Sequence, residues 1–285
     1  MKFVHNYLPL YQLFPNQNNK MKKIFFFLSA IAIVSLASCT GNDDDSSTNP
    51  TPDPSTSVLP KRVVWAQQDP DGFNYNITYT YNGNKLIQGV ADDGAIERYT
   101  YTGDLITKVE YVYDGEVEDQ ELFEYDTTGR LVLHKYQELL DGYQERNIYV
   151  YNTDGTVTQN SYNETLTSPS STPSVYTLSF ENGEMTKIVQ QANNTYKYTY
   201  DGKNSPFKNV TGYATIVHAI HGDFETEGKN QNILSIVDQT NSIAYMTNTV
   251  QYNENNYPKK VTSVAIFDSN NPNTTEELVL TYFYE

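Results

Sequence analysis

The stretch FEYDTTGRLVLHKY, residues 123–136, decides the fold. Phe123 and Tyr125 stand at i and i+2, the spacing that puts two side chains on one face of an extended strand, while Glu124 takes the other face. Asp126 to Gly129 is turn chemistry, with the glycine supplying the positive φ that a tight reversal needs. The run from Arg130 to Leu133 then reads as a second strand, so the unit is a β-hairpin.

Looser copies follow the same grammar: Tyr79-Thr80-Tyr81-Asn82-Gly83, Tyr99-Thr100-Tyr101-Thr102-Gly103, Tyr149-Val150-Tyr151-Asn152 to Gly155, Leu178-Ser179-Phe180-Glu181-Asn182-Gly183 and Tyr198-Thr199-Tyr200-Asp201-Gly202. The second aromatic falls at 81, 101, 125, 151, 180 and 200, a recurrence every 20 to 29 residues that marks a repeat array. One hairpin is marginal alone, so neighbours must pair edge to edge and share a hydrophobic face. The expected architecture is all-β: an antiparallel meander of repeated hairpins forming one large rolled or barrel-like sheet. The tyrosines are read as mostly core, because burying rings is the largest favourable contribution a strand can make.

Phe123 to Leu131 resembles the YD repeat, also called the Rhs repeat, with consensus Tyr-x-Tyr-Asp-x-x-Gly-Arg-Leu. The other copies lack the Arg and often the Asp. From about residue 60 onward the chain also resembles Bacteroidetes lipoproteins of unknown function, through its degenerate YD-like hairpins and the block Lys203-Asn204-Ser205-Pro206-Phe207-Lys208-Asn209-Val210. That resemblance implies a rolled, porin-like antiparallel sheet and an anchored N-terminus, without implying a reaction.

The N-terminal part agrees. Met21-Lys22-Lys23 is a basic n-region, Ile24 to Val34 an apolar h-region, and Leu36-Ala37-Ser38-Cys39 a lipobox, so residues 21–38 read as a lipoprotein signal peptide and Cys39 as the lipidated residue. The apolar run is too short to span a bilayer as a helix. Cys39 is the only cysteine, which rules out an intrachain disulfide. Residues 1–20 precede a second Met with its own n-region and read as an over-extended start. Residues 39–60 form an acidic, Ser/Thr/Pro-rich tether that holds the 61–285 repeat domain on the order of 60 Å from the membrane at roughly 3 Å per residue. Asp43, Asp44 and Asp45 resemble a lipoprotein export signal, which implies the cell surface; a plain acidic linker, and the periplasmic leaflet, is the alternative.

Charge narrows the partners. No Asp or Glu and four of the 19 Lys and Arg precede Cys39, so the chain from Cys39 onward carries 15 basic and 35 acidic residues, a net of −20. Nucleic acid and anionic lipid surfaces are repelled by such a chain. Acidic runs such as Glu116-Val117-Glu118-Asp119-Gln120-Glu121 are expected on solvated strand edges or loops. A membrane-spanning barrel is disfavoured as well, since Thr78, Thr80, Thr100, Glu110, Glu124 and Lys197 occupy the face that would meet lipid.

Signatures of chemistry are sparse. Gly-x-Ser-x-Gly, His-Glu-x-x-His and phosphate-cradling glycine loops are missing, and no cofactor is implied. His218 and His221 would stand at i and i+3 on a short helix within Tyr213 to Ile220, opened by Thr211, but zinc needs further ligands, so they are read as helix-surface histidines before metal ligands. Asp69-Pro70-Asp71-Gly72-Phe73-Asn74 has calcium-like alternation yet lacks the distal Glu, and reads as a turn. The segment from about 205 to 232 interrupts the hairpin rhythm, which resumes at Ile233, and is expected to cap or plug an open end of the sheet.

These features favour an anchored envelope module that binds a glycan or a protein segment, or is structural, over an enzyme. The alternative is a polysaccharide-acting enzyme with two carboxylates facing one another, an arrangement no sequence pattern reveals.

Overall fold

The computed structural model describes residues 57–67, 74–190, 194–220, 226–266 and 275–285. The lipobox, Cys39, the Asp43–Asp45 triplet, Asp69 to Phe73 and His221 lie outside them.

Sixteen strands follow one another as a meander and close into a barrel. Strand β1 (Pro60–Gln67) pairs with both β2 (Asn74–Asn82) and β16 (Thr275–Tyr284), and Val63 sits opposite Ile77 on one side and Tyr282 on the other. Between them run β3 (Lys85–Ala91), β4 (Ile96–Thr102), β5 (Leu105–Tyr113), β6 (Glu116–Tyr125), β7 (Leu131–Glu138), β8 (Tyr143–Tyr151), β9 (Val157–Thr165), β10 (Ser174–Glu181), β11 (Glu184–Gln190), β12 (Thr195–Tyr200), β13 (Ile233–Asp238), β14 (Ile243–Tyr252) and β15 (Pro258–Ile266). The rolled sheet of repeated hairpins is what the repeat grammar predicts. Closure removes every free edge, which an open array of this length would have to protect some other way. The fold begins just inside the stretch assigned to the tether, since Leu59 is buried and Pro60 opens β1.

The aromatic pairs divide into two jobs. The first aromatic is core in most units: Tyr79, Phe123, Tyr149 and Tyr198 are buried, while Tyr99 is partly so. The second is not fully buried, and Tyr151 reaches 38% exposure, so the expectation of tyrosines as plain core holds for only half of each pair. What the second ring contributes is a hydroxyl. Tyr125 donates to the Ile106 carbonyl (2.5 Å), Tyr151 to Leu131 (3.0 Å), Tyr200 to Met185 (2.5 Å), Tyr284 to Pro258 (2.8 Å) and Tyr81 to Pro60 (2.7 Å). Each acceptor is the cross-strand partner of the second aromatic in the preceding unit, and each lies at a register shift in its hairpin. A bulge interrupts the ladder and leaves backbone groups in need of partners; the next tyrosine supplies a donor. The relation carries across the seam, because Pro60 is opposite Tyr284.

The Asp of the quoted stretch has an equally local role. Asp126 Oδ1 accepts from the backbone N–H groups of Thr128 (2.9 Å) and Arg130 (3.0 Å) and from the Thr128 hydroxyl (2.7 Å), closing the turn whose Gly129 has φ 80°. The Thr128 hydroxyl first, then the Arg130 backbone, hold this carboxyl well below the usual carboxylate range. Asp154 repeats the arrangement with Thr156.

Inside, Leu86, Ile106, Val109, Leu278, Asn147 and Ser263 have no exposure, so side chains rather than a water column fill the middle of the barrel. Outside, Thr78, Thr80, Thr100, Glu124 and Lys197 are exposed on the outer face, with Glu110 partly so. A band of such residues is the reverse of the apolar belt that hydrocarbon requires.

Candidate functional site

All the repeat turns from β2–β3 to β10–β11 fall at one end of the barrel, together with the start of β1 and the end of β16. The β12–β13 connection leaves from this rim and folds back into the mouth, as the broken rhythm predicts. Thr211 N–H donates to the Asn84 carbonyl in the β2–β3 turn (2.9 Å), and Asn204 Nδ2 to the Asn255 carbonyl in the β14–β15 turn (3.0 Å). Phe207 is buried edge-on against Tyr79 of the wall, with ring centroids 5.4 Å apart. Gly212 (φ 79°) passes so close to β5 that a Cβ there would stand 2.6 Å from the Asp104 carbonyl.

The expected helix is short. Of Tyr213 to Ile220 only α1 (Tyr213–Ile216) is helical, starting at Gly212 with no side-chain cap, and the Thr211 N–H is spent on the rim. His218 therefore stands in the turn after α1, partly buried and edge-on to Phe180 at 5.7 Å, and is not a helix-surface histidine. Among the described residues no group of three or more His, Cys, Asp or Glu is placed to hold a metal.

Between this plug and the arc of rim from β7 to the β10–β11 turn lies an open cleft of about 390 Å³. Its wall is Leu131, Tyr149, Tyr151, Val157, Leu178 and Phe180; its plug side is Ala214, Thr215, His218 and Ala219. Arg130 and Lys229 are its cations, and Gly129, Gly155 and Gly183 form a lip without side chains. The cleft sits where the tyrosine latch is missing, because Phe180 has the ring but no hydroxyl. Arg130 lies over the Tyr151 ring at 4.4 Å and is paired with Asp126 at 2.7 Å, so the chemistry of this one turn also sets one side of the cleft. No Asp or Glu is among the lining residues.

Beneath the wall the barrel holds a polar cluster that sequence reading missed. Glu121 accepts from Tyr111 (2.6 Å) and pairs with His134 Nε2 (2.8 Å); Asn147 Nδ2 donates to Glu145 (2.8 Å), and Gln159 donates to Asn147 (3.0 Å). Glu121, His134, Glu145 and Gln159 are almost entirely buried. Glu121 thus corrects the view of 116–121 as a solvated edge: the segment is a mid-sheet strand, and its parity with Phe123 and Tyr125 points Glu121 inward. That parity was the available signal, as it is for Glu145 and Asn147 ahead of Tyr149. On the neighbouring strand Glu97, bonded to Tyr99 (3.1 Å), is pushed up to about 7 by burial, with the Glu121 charge adding to it. On the plug, Glu227 accepts from Tyr282 (3.0 Å) and Tyr213 (3.2 Å), and burial pushes it to about 7 as well.

The fold and cleft define a closed, plugged 16-stranded antiparallel barrel. No protein-family model matches the chain, and no curated protein does. Among solved structures it is similar to a porin-like protein from Bacteroides uniformis, at 13% identity and a TM-score of 0.49 over 79% of this chain and 98% of the other. A porin-like protein from Bacteroides vulgatus gives 11% identity and a TM-score of 0.49 over 80% and 99%.

Proposed function

We propose that this chain is a lipid-anchored envelope protein, displayed at the cell surface, whose barrel is a binding module taking its ligand in the cleft between plug and rim. The cleft carries the reading: it is concave, mostly apolar and aromatic, with a few convergent polar groups, the composition of a ligand site. The polar outer face supports a water-facing domain on a tether rather than a spanning pore, and Leu36 to Cys39 supply the anchor. An enzyme using paired carboxylates needs two of them on an accessible concave surface, and the lining offers none.

Two measurements test the address. Cys39→Ala is expected to abolish incorporation of labelled fatty acid, and label retained by that variant overturns the anchor. Replacing Asp43, Asp44 and Asp45 with Ala is expected to protect the protein from protease added to intact cells. Undiminished digestion returns the triplet to plain linker.

A further inference from the structure

From the charges around the cleft we infer that its ligand is an acidic oligosaccharide of the uronate type; this rests on the binding-module reading above. In a chain with 35 acidic and 19 basic residues, a lining with two cations, one histidine and no carboxylate is a local reversal of sign. Lys229 makes no ion pair with a described residue. Its side chain lies along the β10–β11 turn, where a Cβ on Gly183 would be 3.9 Å from Nζ. The buried carboxylate of Glu184 is already committed: it accepts from the backbone N–H groups of Lys229 and Asn230, each at 2.7 Å, and so fixes the lysine's main chain. Arg130 spends Nε and Nη2 on Asp126 Oδ2, at 2.8 and 2.7 Å, and stacks on Tyr151, which directs the rest of its guanidinium to the cleft.

The two cations mark opposite ends of the arc, about three strand spacings or roughly 15 Å apart along the wall. Aromatic side chains in the wall between separated cations suit a ligand with apolar ring surfaces and charges at intervals. Acidic sugars meet that description, and so do acidic peptides. A peptide that binds as an added strand needs a free sheet edge, which the closed barrel lacks, and an acidic peptide held in any other way is the competing arm of the experiment below. Gly129 and Gly155, with nothing within 4 Å of a would-be Cβ, leave the lip low enough for a chain of rings to run out of the cleft.

The experiment is calorimetric titration of the full chain in detergent with a galacturonic acid trimer and with its methyl ester, which keeps the ring and removes the charge. The trimer is expected to bind at least tenfold more tightly than the ester, to lose at least fivefold on Lys229→Gln, and to recover on Lys229→Arg; a thermal melt confirms that each variant is folded. Equal binding of ester and acid, or no effect of Lys229→Gln, overturns the acidic-ligand inference and leaves the cleft standing as a binding site. Preference for an oligoglutamate over the trimer overturns the sugar class. Binding of a neutral oligosaccharide alone, lost on Tyr151→Ala, overturns the inference but keeps the module, whereas a cleft that takes neither acidic nor neutral sugars nor the peptide overturns both.

Discussion

Raising the pH from 4.5 to 7 is expected to cost the protein about 3 kcal/mol of stability for each of Glu97 and Glu227. Both residues are partly buried with their carboxyls desolvated, and that desolvation raises each from 4.5 to about 7 in the folded state. Between those values the unfolded chain has released the proton and the folded chain still holds it, so the folded state binds more protons and stability falls as pH rises. The contribution is complete below the unfolded value and gone above about 7. At the acid extreme the sign reverses. Glu164, whose Oε1 accepts from Arg146 Nε at 2.9 Å, is held below its ordinary value by that pairing, and its contribution disappears as pH falls through the lowered value. Urea melts at pH 5 and pH 8 measure the difference. Glu227→Gln, which keeps an amide for Tyr213 and Tyr282 without the ionisation, is expected to gain about 3 kcal/mol at pH 8 and little at pH 5. A flat pH profile for the unmodified protein, or a Gln variant that shifts both melts equally, would show that neither carboxyl is held neutral.

Tyr125→Ala is expected to destabilise by roughly 3 kcal/mol, because it removes both a ring packed against the core and a hydroxyl latched to the Ile106 carbonyl. Tyr125→Phe separates the two losses, and is expected to cost about 1 kcal/mol for the hydrogen bond alone. Thr100→Ala, on the exposed outer face, should stay within about 0.5 kcal/mol. The ordering Ala, Phe, then Thr100→Ala in a denaturant series checks the assignment. A Phe variant as damaging as the Ala variant would place the energy in the hydroxyl and leave the ring as mere spacer; an Ala variant that melts like the parent would leave the second aromatics as exposed platform.

Much of the fold was legible because the repeat carries its own physics. An aromatic at i and i+2 sets strand parity, Asx and Gly set the turn, and the recurrence every 20 to 29 residues forces neighbours to pair. The break in rhythm likewise announced a plug, because two repeat lengths separate Tyr200 from Tyr252 and the hairpin register resumes only at Ile233. The same parity could have turned Glu121, Glu145 and Asn147 inward, but the prior that acidic runs face water outweighed it. His218 was misplaced for a different reason. Helix periodicity over Tyr213 to Ile220 says nothing about a rim that takes the Thr211 N–H, nor about α1 ending at Ile216.

What local sequence determined by itself is therefore the hairpin, its turn and the inward parity of each strand, all set by neighbours within a few residues. Closure of β1 against β16, the hydroxyls of Tyr81, Tyr125, Tyr151, Tyr200 and Tyr284 on the carbonyl of the unit before, and the cleft framed by Arg130 and Lys229 were decided only by the tertiary structure. They join residues up to 224 positions apart, as Pro60 and Tyr284 are, and no local spacing encodes a distance that exists only after sixteen strands have gone once around.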